Sequence, residues 1–266
     1  MPHDNLHIAL LPIDMQLGKN DLNISVISNL MGDIAPETEL VLLPEMCVSG
    51  YSTDGELLAQ MAEDENDSPS LKALHALGME KKTAICGSLA VRNQDKYFNR
   101  GFFINPDNGK VTYYDKHHLF TMGHENLYYT PGAALPPIIE FRGWKISMVI
   151  CYDLRFPVWT RNVACAYDLL LIPANWPMSR DYAWRQLIIA RAIENQAYVA
   201  GCNRLGTDEY GSYNQMQSLV VSPRGEELST PDQSGFIYAV LNGQKLDRDR
   251  EKFPVWEDAD SFDISI

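Results

Sequence analysis

The sequence predicts an α/β protein whose sheets carry helices on their outer faces, and three observations support this prediction. The chain has 266 residues, of which 45% are hydrophobic and 21% are charged, as in ordinary globular domains. Short apolar runs of strand length, flanked by Gly, Pro and Asn, alternate with helical patterns. A β-rich middle follows two β–α units and a β-rich end follows two more, which is compatible with two sheets.

The apolar pattern predicts where the elements lie. Strands are predicted at residues 7–12, 40–43, 83–89, 100–104, 110–114, 145–150, 169–172, 199–203, 217–221 and 235–241. Helices are predicted at residues 19–31, 54–62, 70–82, 157–166 and 180–196. No change in composition divides the chain, so we predict one domain over residues 1–266. Its charged tail, residues 247–266, is expected either to pack on that domain or to contact a partner subunit.

Composition excludes several classes of protein. The net charge of −13 gives a surface that repels phosphate backbones, so we expect no nucleic-acid partner. No window of about 18 uncharged apolar residues exists, and the N-terminus lacks the basic segment of a signal peptide, so we expect no membrane association. Five scattered cysteines without a CxxC motif argue against a disulfide framework and a zinc site. We therefore expect a cytoplasmic protein with free thiols.

Cys151 is the first candidate for chemistry. It follows the predicted strand 145–150 and precedes the predicted helix 157–166, so it is expected at the carboxyl edge of a sheet, where α/β proteins bind ligands. A free cysteine is usually a small buried hydrophobic residue. The other four cysteines fit that interpretation: Cys47, Cys86, Cys165 and Cys202.

Two further strand ends supply the groups that a nucleophilic thiol needs. Glu45 lies near the end of the run VLLPEM (41–46), and Lys116 follows the predicted strand 110–114. A thiol nucleophile requires a base, and the oxyanion that it creates requires positive charge. A neighbouring lysine is also expected to lower the thiol pKa. The three residues together predict acyl-transfer chemistry by Glu45, Lys116 and Cys151.

Three histidines near Lys116 offer alternative interpretations. His117 and His118 are adjacent, so on an extended chain they point to opposite faces, and we expect no metal there. A Cys–His thiol protease would need His117, His118 or His124 beside Cys151. The Glu–Lys pair explains an active thiol without them.

Five segments carry a resemblance to a known family. They are LLPEMCVSGY (42–51), YYDKHHLF (113–120), ICYDLRFPVW (150–159), IPANWP (172–177) and ARAIENQAYVAGCNR (190–204). In these motifs and their order the chain is similar to the nitrilase superfamily of carbon–nitrogen hydrolases. The resemblance implies a four-layer α-β-β-α sandwich with two mixed sheets that forms a homodimer or a higher homo-oligomer. It also implies that Glu45 is the general base and acid, Lys116 the oxyanion-stabilising cation and Cys151 the nucleophile, with Glu125, in ENLYYTPG, as a supporting second glutamate.

The segments CYDLRFPVW and ANWP resemble the omega-amidase branch of that superfamily. This implies hydrolysis of the terminal amide of short 2-oxo acids such as 2-oxoglutaramate and 2-oxosuccinamate, without a cofactor. Other enzymes of the superfamily remain alternatives: an aliphatic amidase, a carbamoyl-amino-acid hydrolase or an amidase of deaminated glutathione. A non-catalytic binding protein that kept the fold is an alternative of another class.

The expected reaction assigns further residues to the site. The backbone N–H of Tyr152 is expected to help Lys116 hold the oxyanion. The carboxylate at the far end of an omega-amide needs a cation, preferably the bidentate guanidinium of arginine, and Arg155 and Arg180 are the candidates. Asn175 and Trp176 are expected to line the substrate pocket.

Overall fold

A computed structural model describes residues 4–233 and 235–266 of the chain. Its strands are β1 (Asn5–Leu10), β2 (Leu40–Leu42), β3 (Glu63–Asp64), β4 (Ala84–Asn93), β5 (Lys96–Ile104), β6 (Val111–Asp115), β7 (Ile139–Phe141), β8 (Trp144–Met148), β9 (Leu169–Ala174), β10 (Tyr198–Asn203), β11 (Gly206–Asp208), β12 (Gly211–Tyr213), β13 (Leu219–Val221), β14 (Thr230–Pro231) and β15 (Ile237–Asn242). Its α-helices are α1 (Asn20–Gly32), α2 (Gly55–Met61), α3 (Pro69–Lys81), α4 (Asp181–Asn195) and α5 (Gly243–Lys252).

Two mixed sheets form the centre of the molecule. The first has the order β14-β15-β1-β2-β4-β5-β6, with β3 beside β4, and the second has the order β13-β10-β9-β8-β7. Strands β1, β2 and β4 are parallel, as are β8, β9 and β10, while hairpins and antiparallel strands complete each sheet. Parallel strands align their carboxyl ends at one edge, which is where the expected site residues lie.

The alternation of side chains along each strand separates the layers. In β1, Ile8 and Leu10 pack into the core between the two sheets, whereas Ala9 belongs to the core beneath α1 and α3. On the other side, Trp184 and Ile188 of α4 pack on the second sheet. Each fully buried aliphatic side chain of this kind contributes about 1.5–3 kcal/mol. The expected α-β-β-α sandwich with two mixed sheets is therefore confirmed.

Four of the five predicted helices are present within two residues of their expected ends. Asp54 caps α2 by accepting a hydrogen bond from the backbone N–H of Leu57. Ser68 caps α3 in the same way, by accepting from the backbone N–H of Leu71. Pro69 stands at the first position of α3, where its missing N–H costs nothing.

The predicted helix at 157–166 is wrong. This segment consists of turns and one short 3-10 helix, Val163–Cys165, in which Ala164 has a left-handed backbone. The side chain of Asn162 accepts from the N–H of Tyr167 and donates to the carbonyls of Tyr167 and Asn195. These side-chain bonds satisfy the backbone locally and compete with a helical ladder. Cys165, expected to be buried, is half-buried in this segment.

Helix α5 was not expected, because its sequence GQKLDRDREK is strongly polar and has one large apolar residue, Leu246. Tertiary bonds hold it instead. The guanidinium of Arg250 donates to the Asp168 carboxylate at 2.6 Å and to the carbonyls of Tyr167 and Gln196 at 2.7 and 2.9 Å. The tail beyond α5 lies on its own chain, where Ile264 packs against the central core. In the described part of the chain, no helix is long and apolar enough to cross a membrane.

Candidate active site

The three predicted strand ends meet in one cavity of about 480 Å³, a volume that includes the open space at its mouth. Lys116 directly follows β6, whereas Glu45 and Cys151 each come three residues after the end of β2 and β8. Eight of the nine expected site residues line this cavity: Glu45, Lys116, Cys151, Tyr152, Arg155, Asn175, Trp176 and Arg180. The ninth, Glu125, lies directly behind Lys116.

The ammonium of Lys116 is shared by two buried carboxylates. Its Nζ lies 2.9 Å from Oε1 of Glu45 and 3.0 Å from both carboxylate oxygens of Glu125. All three side chains are at most 2% exposed. Burial by itself lowers the pKa of Lys116, but the charges of Glu125 and Glu45 outweigh it and hold that pKa well above its usual value. Burial raises the pKa of Glu125, and the charge of Lys116 offsets part of this effect.

The carboxylate of Glu45 is held from two further sides. The side-chain amide of Asn99 donates to Oε1 at 2.7 Å, and the backbone N–H of Asn175 donates to Oε2 at 2.9 Å. Sequence reasoning missed Asn99, because it stands just before the predicted strand 100–104 among polar residues, whereas β5 begins at Lys96 and brings Asn99 into the sheet. These bonds fix the carboxylate toward the cavity.

The backbone of Cys151 has a left-handed conformation, with φ of 44°, which is uncommon for a residue other than glycine. A 3-10 helix, Cys151–Arg155, begins at this residue. The buried carboxylate of Asp153 fixes the turn, because it accepts from the N–H of Ile150 at 3.1 Å and from the hydroxyl of Tyr114 at 2.8 Å. The N–H of Tyr152 lies in the first turn of this helix, where N–H groups have no partner within the helix.

The charge of Lys116 lowers the pKa of the Cys151 thiol, as expected, but the expected outcome, a thiolate available near neutral pH, is wrong. Burial and the negative charge of Glu45 raise the pKa of Cys151 well above its usual value, and the charge of Lys116 only partly opposes them. The Sγ atom lies 3.8 Å from the carbonyl oxygen of Asn175. The resting residue is therefore a thiol, and it needs a base at the moment of attack.

The two arginines lie over aromatic rings of the cavity. The guanidinium of Arg155 is 4.6 Å from the ring centre of Trp176, and that of Arg180 is 5.2 Å from the ring centre of Phe120. Neither guanidinium has a hydrogen bond or an ion pair with another residue in the described part of the chain. Two unpaired positive charges thus flank a cavity whose deep end holds carboxylates.

Three tyrosines complete the wall. Tyr210 and Tyr213 belong to the β11–β12 hairpin, and Tyr51 follows the segment that carries Glu45. The hydroxyl of Tyr210 hydrogen-bonds to Oγ1 of Thr53 at 2.8 Å, and that of Tyr213 donates to the Asp208 carboxylate at 3.1 Å. The hairpin was not predicted, so its tyrosines were missed as site residues.

The rings of His117 and His118 pack and bond with residues other than the thiol. The ring of His117 stacks on Trp159 at 3.9 Å, and the ring of His118 stacks on Phe156 at 3.6 Å and hydrogen-bonds to Asp153 at 2.9 Å. The described residues that line the cavity include no histidine, so the geometry disfavours the Cys–His protease alternative.

A buried cysteine, a lysine and two carboxylates in a sandwich of two sheets form a set suited to acyl transfer. The model of the family described as carbon-nitrogen hydrolase matches residues 13–250. The chain belongs to the carbon-nitrogen hydrolase family, and the resemblance seen in the five motifs is confirmed.

Relatives with named activities match most of the chain. Omega-amidase YafV of Escherichia coli (strain K12) is 43% identical over 226 residues, which cover 84% of this chain and 85% of the relative. The 2-oxoglutaramate amidase of Bacillus subtilis (strain 168) is 32% identical over 260 residues, covering 94% of this chain and 96% of the relative. XC1258 from Xanthomonas campestris, a CN-hydrolase superfamily protein solved with an arsenic adduct in its active site, superposes with a TM-score of 0.90 at 34% identity, over 98% of this chain and 99% of that one.

Proposed function

We propose that this protein is an omega-amidase: it hydrolyses the terminal amide of short 2-oxo-dicarboxylate monoamides, such as 2-oxoglutaramate and 2-oxosuccinamate, to the 2-oxo acid and ammonia. The observation that carries the proposal is the meeting of Glu45, Lys116 and Cys151 in one cavity that also holds two unpaired arginines. The named activities of the relatives from Escherichia coli and Bacillus subtilis support the same substrate class.

The first half of the reaction forms a thioester. Glu45 takes the proton of the Cys151 thiol as the sulfur attacks the amide carbon. The oxyanion is held by the ammonium of Lys116 and the backbone N–H of Tyr152, and one donor of this kind typically contributes roughly 3–4 kcal/mol. Glu45 then gives the proton to the amide nitrogen, the C–N bond breaks and ammonia leaves. Glu125 holds Lys116 in place throughout.

The second half releases the acid. Glu45 takes a proton from water, and the resulting hydroxide attacks the thioester carbon. The same two donors hold the second oxyanion. The C–S bond breaks, the proton on Glu45 returns to the sulfur, and the free 2-oxo acid departs. Because its pKa is raised, the Cys151 thiol must lose its proton to Glu45 before it can attack, and its sulfur readily takes a proton back when the C–S bond breaks.

The arginines account for the other end of the substrate. The carboxylate carbon of the substrate lies four bonds from the amide carbon in 2-oxoglutaramate and three bonds from it in 2-oxosuccinamate. Arg155 and Arg180 lie at the cavity wall, neither has a carboxylate partner among the described residues, and Asn175 and Trp176 line the same cavity. A guanidinium binds a carboxylate through two parallel hydrogen bonds.

An ammonia-release assay tests the proposal. The panel contains 2-oxoglutaramate, 2-oxosuccinamate, glutamine, asparagine and carbamoyl amino acids. We expect the highest kcat/KM with a 2-oxo-acid amide, no turnover with Cys151→Ala, and a thioester adduct on Cys151 by mass spectrometry after brief mixing. Preferred release of carbon dioxide with ammonia from a carbamoyl compound would contradict the substrate assignment.

We also propose a cytoplasmic location and a homodimer. A thiol nucleophile survives in a reducing compartment, and all five cysteines of this chain are free. A groove beside the tail is lined by apolar side chains that are half-exposed: Leu135, Ile138, Val158, Val163 and Phe262. A second copy of the chain would cover this apolar surface.

A further inference from the structure

Tyr51 is a buried polar residue of the cavity that the reaction described above does not use. Its side chain is 8% exposed, and its hydroxyl has no hydrogen-bond partner in the described part of the chain. A buried hydroxyl without a partner costs stability, so such a group calls for an explanation. The other two tyrosines of the cavity differ, because the hydroxyls of Tyr210 and Tyr213 are bonded to Thr53 and Asp208.

The surroundings of Tyr51 place it beside the charged groups of the site. Its hydroxyl interacts electrostatically with Glu125, Lys116 and Glu45. Burial, with the charges of the two glutamates, raises the pKa of this phenol far above its usual value. The residue is therefore a neutral hydrogen-bonding group and not a base.

Two buried oxygens of the cavity have no hydrogen-bond partner in the described part of the chain, the hydroxyl of Tyr51 and Oδ1 of Asn175, and Asn175 is already bonded to Glu45 through its backbone and side-chain N–H groups. The proposed reaction can be used to ask which substrate atom Tyr51 would meet. The amide oxygen is met by Lys116 and the N–H of Tyr152. A primary amide also carries two N–H donors, and Glu45 faces only one of them as the proton carrier. Glu125 is fully buried behind Lys116 and does not line the cavity, and its carboxylate accepts from Lys116 and from the backbone N–H of Phe120. An N–H that is buried without an acceptor would weaken substrate binding.

We propose that the hydroxyl oxygen of Tyr51 accepts the second N–H of the substrate's primary amide and so selects amides over esters. This inference rests on the proposed amidase function. It makes Tyr51 a specificity-determining residue, because an ester carries no N–H at the corresponding position. Its unpaired hydroxyl in the resting protein is then a group held ready for the substrate.

The test compares an amide with its matched ester. The wild type and Tyr51→Phe are assayed on 2-oxoglutaramate and on the 5-methyl ester of 2-oxoglutarate, or on the best amide of the panel and its methyl ester. We expect kcat/KM of Tyr51→Phe to fall by about tenfold on the amide, the typical worth of one hydrogen bond to substrate, and to change by less than about twofold on the ester. The melting temperature should stay the same or rise, because the lost hydroxyl had no partner.

Tyr129→Phe is the matched control. Tyr129 is also buried, it stacks on Tyr51, and it feels the same three charges, but it does not line the cavity, and its hydroxyl donates to the carbonyl of Ser52 at 3.2 Å. We expect this variant to melt at a lower temperature and to keep the wild-type ratio of amide to ester activity.

Three results would overturn the inference: an unchanged amide kcat/KM in Tyr51→Phe, equal losses on amide and ester, or a clearly lowered melting temperature in Tyr51→Phe. Equal losses would assign the hydroxyl to the carbonyl oxygen or to pocket shape. A wild type without activity on any 2-oxo-acid amide refutes the proposed function instead. A wild-type amidase that Tyr51→Phe leaves unchanged refutes only the present inference.

Discussion

Lys116 is the cation that two buried carboxylates share. Its ammonium faces Glu45 and Glu125, so this charged triad of Glu45, Lys116 and Glu125 carries a net charge of −1 when fully ionised, in a region that water scarcely reaches. Each carboxylate therefore depends on the lysine, and the lysine cannot lose its proton easily. The thiol of Cys151 has the opposite property, because burial and Glu45 keep it protonated.

The first prediction concerns the charge of Lys116. Lys116→Met leaves two buried carboxylates without their cation, and we expect the free energy of unfolding to fall by about 3–5 kcal/mol. Urea unfolding followed by circular dichroism measures this loss. The double variant Lys116→Met with Glu125→Gln should recover part of it, since one of the uncompensated charges is removed. Single-variant stability equal to that of the wild type would show that the triad is not charged as described.

The second prediction concerns the pH dependence of the Cys151 thiol. Because its pKa is raised, the thiolate is a small fraction near neutral pH and grows by about tenfold per pH unit. We expect the rate of alkylation by iodoacetamide, followed by mass spectrometry of Cys151, to keep rising through pH 9. Glu45→Gln removes the charge that raises the pKa, so alkylation at pH 8 should be faster in that variant although hydrolysis is lost. A plateau near pH 7 in the wild type would mean that the thiolate is preformed.

The turn after Glu125 positions Lys116 through the backbone. The N–H of Gly132 donates to the carbonyl of Lys116 at 2.9 Å, and Nδ1 of His117 donates to the carbonyl of Gly132 at 2.7 Å. A Cβ at Gly132 would lie 2.0 Å from the carbonyl oxygen of Asp115. Glycine is therefore required because the turn and the end of β6 are in contact.

The third prediction follows from this contact. Gly132→Ala should lower the free energy of unfolding by about 1–3 kcal/mol, since the turn must move away from β6. It should also reduce kcat more than it raises KM, because Lys116 shifts with the strand end. Thermal melting and steady-state kinetics measure the two effects. Gly32→Ala is the control: a Cβ there meets nothing within 4 Å, so stability should be kept or slightly raised. Equal behaviour of the two variants would argue against the contact.

The whole molecule has its cavity at the strand ends and its apolar groove on another surface. The groove contains Val158 and Val163, which the turns at 157–166 hold out from the core, and the tail contributes Phe262. A regular helix at this position would present these side chains differently. The unexpected turns therefore create the surface on which we propose that two copies meet.

The fourth prediction tests this assembly. Light scattering coupled to size exclusion should give a mass near twice 30.1 kDa for the wild type. Val163→Asp places a charge in the groove and should shift the protein toward the monomer, because an unpaired charge is not tolerated in an apolar interface. Leu127→Asp, an exposed apolar residue outside the groove, is the control and should stay dimeric. A monomeric wild type at micromolar concentration would contradict the proposal.

The periodicity of apolar residues in the sequence was sufficient to predict most of the strands and helices. The apolar runs marked the main strands, and caps such as Ser68 with Pro69 marked the helices, because burial and backbone hydrogen bonding act over a few neighbouring residues. Glu45, Lys116 and Cys151 could be found in the same way, since each follows an apolar strand. The prediction at 157–166 was wrong because the bonds of Asn162 are specific contacts that no periodicity reports.

The amino-acid sequence alone determined the family, the sandwich of two sheets and the positions where chemistry could occur. Only the tertiary structure decided how the charges act: Lys116 is shared by two carboxylates, Asn99 holds Glu45, and burial with Glu45 raises the pKa of the thiol. It also left the hydroxyl of Tyr51 without a partner among the described residues. The physical reason is distance. Lys116 and Glu45 are 71 positions apart in the chain but 2.9 Å apart in space, and electrostatic interactions and desolvation depend on the second of these separations.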